Sequence, residues 1–110
     1  MTMRGLSAFP ITPTDAAGSP LPADLRRLIL RLRHAGVDSI GVLGSTGGYA
    51  YLDADQRRAV LETALDAAGG KVPVIAGVGA CAATPRPRWR AMRRMRGLRA
   101  CCWRRCPILP

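Results

Sequence analysis

Apolar positions along this chain switch between two spacings, and the switching outlines a fold. Gly5–Ile11 is a short, mostly apolar run closed by Thr12-Pro13, which predicts a buried strand ended by a turn. A turn-forming stretch follows, from Thr14 to Pro20. The spacing then changes to three and four: Leu25, Leu28, Ile29 and Leu32 share one helix face. Pro22 suits the first helical position and Gly36 the C-terminal stop. Asp38–Leu43 returns to a strand pattern and runs directly into Gly44-Ser-Thr-Gly-Gly48. Asp53 and Gln56 have the spacing of a capping box, and Val60, Leu61, Ala64, Leu65 and Ala68 form a second stripe that ends at Gly69-Gly70. Val72–Val78 is a third strand, with Pro73 tolerable near its start.

Strands alternating with helices of this length predict a β-α-β-α-β unit with parallel strands. Right-handed crossovers bring Thr12, Ser45-Thr46 and Gly77-Val78-Gly79 to one rim. Ligands of parallel α/β folds bind at that rim. Ser45 and Thr46 supply two hydroxyls there beside a row of backbone N–H groups, while Gly44 and Gly47 permit a tight turn and close ligand approach.

Charge divides the chain at Ala80. Residues 1–80 hold all seven acidic residues against eight basic ones, whereas 81–110 carry nine Arg, no Lys and no acid, together with both Trp and all four Cys. The high overall pI therefore describes the tail alone and does not make the whole chain a nucleic-acid binder. No apolar run reaches the roughly eighteen residues of a membrane span, and the N-terminus lacks signal-peptide order, so a cytoplasmic location is the expectation. Cys101 and Cys102 are adjacent and no export signal is visible, which favours unpaired thiols. With no C-x-x-C and no nearby His, zinc is not expected.

Gly41-x-x-Gly44-x-x-Gly47 has neither the G-x-G-x-x-G spacing of a dinucleotide turn nor the Gly-Lys-[Ser/Thr] of a P-loop. His34 falls in the last turn of the first helix, a place for contact with terminal carbonyls rather than for catalysis. Trp89, Met92, Met95 and Leu98 could form a weak helical stripe among the arginines.

Three motifs in order carry a resemblance: Ala8-Phe-Pro-Ile-Thr-Pro-Thr-Asp15, Gly41-Val-Leu-Gly-Ser-Thr-Gly47 and Val72-Pro-Val-Ile-Ala-Gly-Val-Gly-Ala80. Residues 1–80 closely resemble the dihydrodipicolinate synthase / N-acetylneuraminate lyase family, with the second motif matching its G-[ST]-T-G-E signature. The resemblance implies a class I aldolase-type (β/α)8 barrel that condenses pyruvate with an aldehyde or cleaves the adduct, without metal or organic cofactor, in a homo-oligomer. Carried over by position, Thr46 and Gly47 bind the pyruvate carboxylate and Ser45 belongs to a proton relay. A small carboxylate suits short donors and exposed N–H groups, and a relay suits a hydroxyl that donates and accepts. Gly48 stands where the family usually has Glu.

The family also needs a Schiff-base lysine on a later strand and a proton-shuttling tyrosine. Lys71 is the one lysine, at the wrong end of the third strand, and Tyr49 and Tyr51 match neither catalytic tyrosine. A complete barrel takes roughly 250 residues. The expectation is therefore a partial TIM barrel: about three strands and two helices over residues 1–80, and over 81–110 an irregular or partly helical basic tail, disordered and out of frame. By itself this chain would be an inactive N-terminal part of a lyase.

Codon arithmetic supports the frame reading. Cys101-Cys-Trp103 is encoded TGY-TGY-TGG, which two bases later reads Leu-Leu for any codon choice. In that frame Arg88–Leu98 can encode an amphipathic helix and Cys102–Pro110 a barrel strand. The alternative is a small basic nucleic-acid-binding protein acting through the Arg-rich tail. A selected binder should also carry a basic or aromatic patch on residues 1–80, which the sequence does not show.

Overall fold

The computed structural model describes residues 4–77 and the backbone of 98–101. Its strands are β1 (Ser7–Ala8), β2 (Ser39–Val42), β3 (Val74–Gly77) and β4 (Leu98–Cys101). They lie side by side in chain order and all pair in parallel. The register matches Ser7 to Ser39, Ile40 to Val74, and Val74 to Leu98. Helix α1 (Pro22–His34) links β1 to β2, and α2 (Ala54–Ala68) links β2 to β3.

Local chemistry accounts for the helix bounds. Pro22 opens α1 where no intrahelical N–H is needed, Asp24 lies in the first turn, and Arg31, Arg33 and the exposed His34 lie in the last, as the helix dipole favours. Gly36 follows with φ +79. The capping box on α2 is complete: the Gln56 N–H donates to Asp53 Oδ1 at 2.7 Å and the Asp53 N–H to Gln56 Oε1 at 3.0 Å. Gly69, at φ +59, ends α2.

The two helices cover one face of the sheet. Leu25 and Ile29 of α1, with Val60, Leu61, Ala64, Ala67 and Ala68 of α2, pack on Ile40, Val42, Val74 and Ala76. Strand alternation assigns Ser7, Ser39, Gly41 and Ile75 to the other face. There the Phe9 ring lies across Gly41, and half of Phe9 remains exposed, as do Leu6 and Ile11.

The element order agrees with the sequence pattern, but several bounds differ. Of the strand expected over Gly5–Ile11 only two residues pair, because Leu6 spends its N–H on the Asp38 carboxylate and shares its carbonyl between the N–H groups of Asp38 and Ser39, while Pro10 has no donor. Leu98 belongs to a strand, not a helical stripe; Trp89, Met92 and Met95 lie outside the described residues. The outer edge of β3 offers a row of backbone donors and acceptors, and pairing with an extended segment satisfies them.

Candidate functional site

Among the described residues, the one non-glycine with a positive φ lies at the end of β2. Leu43 is fully buried and takes φ +58, a left-handed conformation that costs a non-glycine residue roughly 1–2 kcal/mol. Its surroundings hold it there. A Cβ on Gly77 would come within 2.1 Å of the Leu43 carbonyl oxygen, and one on Gly47 within 3.0 Å of the Leu43 nitrogen. Gly77 thus brings the end of β3 against the end of β2, as expected for the rim. Val78 and Gly79 lie outside the described residues.

Past this point the chain turns through Gly44–Gly48. The Gly48 N–H donates to the Ser45 carbonyl at 3.1 Å, and Gly48 has φ +66. A 3-10 turn, Tyr49–Tyr51, then leads to α2; the sequence pattern did not foresee it. Gly44 has open space around its α-carbon and no left-handed φ, so close packing calls for glycine at Gly47 and the backbone conformation favours it at Gly48, while neither does so at Gly44. Glycine adopts the left-handed conformation at 48 without the cost that the family's usual Glu would meet in it.

Ser45 and Thr46 are exposed and Gly47 is buried. Among the described residues, neither hydroxyl is hydrogen-bonded and none of the N–H groups of Ser45, Thr46 and Gly47 has an intramolecular acceptor. Thr46 and Gly47 line a cleft of about 400 Å³ together with Thr12, Thr14, Gly48 and Tyr51; Ser45 is not part of its lining. Thr12 and Gly47 are joined directly, the Thr12 hydroxyl donating to the Gly47 carbonyl at 2.7 Å. The far wall is the turn after β1, closed on itself by Asp15, whose carboxylate accepts from the N–H groups of Ala17 and Ser19 at 2.9 Å. The arrangement can offer a small anion several N–H donors and two or three hydroxyls in one place.

Sequence reasoning missed Arg57. It lies on α2 and is 1% exposed; its Nε donates to the carbonyls of Tyr49 and Leu52, both at 3.0 Å, and its guanidinium lies 5.5 Å from the Tyr49 ring centroid. Read beside Arg58 it looks like part of a solvated face. The available signal was its spacing, since it precedes Val60, Leu61 and Ala64 by three, four and seven positions and shares their buried face. Lys71 is exposed and precedes β3, at the end of the strand remote from Gly77. Among the described residues no three His, Cys, Asp or Glu side chains cluster as a metal site would need, and no helix is long and apolar enough to cross a membrane.

Parallel strands in chain order, helices on one face and a hydroxyl-bearing turn at the strands' carboxyl ends define the opening segment of a (β/α)8 barrel with its ligand rim. Comparison with known proteins specifies which barrel. A sequence profile of the dihydrodipicolinate synthetase family matches residues 2–103, and the chain belongs to that family. A 4-hydroxy-tetrahydrodipicolinate synthase of Salinibacter ruber is 40% identical over 79 residues, which are 72% of this chain and 26% of that protein. The crystal structure of a dihydrodipicolinate synthase from Agrobacterium tumefaciens superimposes with a TM-score of 0.68 at 49% identity, covering 71% of this chain and 26% of that one. N-acetylneuraminate lyase from Proteus mirabilis gives 0.66 at 33% identity, over 69% and 26%. The chain thus spans about a quarter of the length of these relatives.

Proposed function

We propose that this chain forms the carboxylate-binding part of a class I, pyruvate-dependent aldolase/lyase site, the intact enzyme joining pyruvate to an aldehyde or cleaving the adduct. Thr46 and Gly47 hold the pyruvate carboxylate, and Ser45 serves in the proton relay. The observation that carries this reading is the set of three consecutive N–H groups, Ser45 to Gly47, left without intramolecular acceptors beside the Thr46 hydroxyl on the cleft wall. An oxygen anion satisfies such donors better than water does in a partly enclosed site.

The chemistry needs a lysine to form an imine with the pyruvate carbonyl. Lys71, the one lysine in the sequence, faces solvent at the wrong end of β3. These 110 residues alone are therefore expected to bind the carboxylate without turning the substrate over. The test titrates pyruvate into the protein while its amide NMR signals are followed, then adds borohydride and weighs the product. Shifts confined to Ser45–Gly48 with no added mass are expected. A stoichiometric pyruvyl adduct on Lys71, or a titration that leaves the loop signals unmoved, would overturn the assignment.

A further inference from the structure

We infer that Arg57 is a positioning residue: from inside the core it holds the trailing end of the 44–52 loop, so that the Thr46 and Gly47 N–H groups stay available at the cleft. The inference rests on the carboxylate-binding reading above and deepens it.

The loop is fixed at its leading end by Leu43, wedged against Gly77 and Gly47. At its trailing end Leu52 is buried in the core and Tyr49 packs against it, contacts that fix side chains but leave the carbonyls between them to be oriented. Gly48 has no side chain, Tyr51 is 90% exposed, and the 3-10 turn between them has one internal backbone bond reaching Leu52, from its N–H to the Tyr49 carbonyl at 3.2 Å. Arg57 supplies the polar anchor that orients them. Its Nε bridges the carbonyls of Tyr49 and Leu52, and its guanidinium lies against the Tyr49 ring. The residue's backbone is itself pinned, the Arg57 N–H donating to the Asp53 carbonyl at 2.9 Å in the first turn of a capped helix.

Burying a guanidinium is costly unless its donors are met by acceptors, so an apolar residue would serve the α2–sheet interface more simply. What an apolar residue cannot do is hold two carbonyls of a neighbouring segment at fixed separation. Two of the cleft's lining residues, Tyr51 and Leu52, belong to the stretch so held, and Gly47 and Gly48 lead directly into it. Release of that stretch would let the upstream N–H groups turn toward the carbonyls freed beside them, in competition with a ligand.

The experiment compares the 110-residue protein with R57M and R57K, using pyruvate titration, amide hydrogen exchange and circular dichroism. In R57M with helix content retained, exchange at Tyr51 and Leu52 is expected to quicken at least tenfold while Ile40 and Val74 are unchanged. Pyruvate affinity is expected to fall by about tenfold, the scale of one lost charge-assisted hydrogen bond. R57K, which keeps the charge but not the fork, should recover part of the affinity. Unchanged affinity and unchanged Tyr51 and Leu52 exchange in a folded R57M would overturn the inference. If R57M does not fold, R57K decides: faster exchange at Tyr51 and Leu52 with core amides unmoved supports positioning, and uniform quickening across Ile40 and Val74 makes Arg57 a core residue only. A wild-type protein that fails to bind pyruvate would defeat the carboxylate reading by itself, while the exchange pattern would still decide whether Arg57 holds the loop.

Discussion

Gly77 and Gly41 are both crowded, yet an added methyl should affect them differently. At Gly77 the obstacle is the Leu43 carbonyl, 2.1 Å from the would-be Cβ and part of a backbone already in a left-handed conformation. At Gly41 it is the edge of the Phe9 ring at 2.3 Å, a half-exposed side chain with space to swing away. Gly77→Ala should therefore destabilise the protein by about 2 kcal/mol or more, in the range of overpacking, and Gly41→Ala by less than about 1 kcal/mol, as read from urea denaturation. Thr46→Ala should leave stability nearly unchanged, because its hydroxyl is exposed, and weaken pyruvate binding by roughly 1–3 kcal/mol in a titration. The candidate site was only partly legible in the sequence. Ser45, Thr46 and Gly47 stood out because a strand ran into a hydroxyl-bearing turn. The strain at Leu43 was hidden, since nothing about a leucine at a strand end announces a positive φ imposed by a glycine 34 positions later.

Elements were legible where their signals are local. Asp53 and Gln56 are three residues apart and cap each other, so the start of α2 could be read directly; Asp53→Ala should cost about 1 kcal/mol, observable as a lower thermal midpoint. Pro22, Gly36 and Gly69 likewise mark helix ends through their own backbone preferences. Elements that depend on remote partners were not legible. The brevity of β1 follows in part from Asp38, more than thirty residues away, whose carboxylate takes the Leu6 N–H and whose own N–H shares the Leu6 carbonyl with that of Ser39. The existence of β4 follows from the vacant edge of β3, which no property of Leu98–Cys101 reveals.

At the scale of the molecule, one sheet face is covered by two helices and the other exposes Phe9, with Leu6 and Ile11 open to solvent nearby. A barrel covers such surfaces only by closing. The 110-residue protein is therefore expected to self-associate and to bind a hydrophobic dye, and a monomer that binds no dye at high concentration would contradict this. The frame reading of 81–110 belongs to the same scale. Resequencing across the codons of Ala80 and Cys81 tests it: if the frame is shifted there, restoring it should extend the product to about 250 residues with a lysine on a later strand. If the frame proves unbroken, the family match through residue 103 and the pairing of β4 mark the tail as a genuine strand-bearing segment, and its nine arginines then call for an RNA-binding assay.

The order β1-β2-β3-β4 has a consequence for how the chain acquires its shape during synthesis. Each strand pairs with the one made just before it, Ser39 with Ser7 and Val74 with Ile40, so no strand emerging from the ribosome waits for a partner not yet translated. Successive closures span similar lengths and carry similar entropic costs. The sheet can thus grow vectorially, one βα unit at a time, the outer edge of β1 staying where it is while the other edge moves forward along the nascent chain.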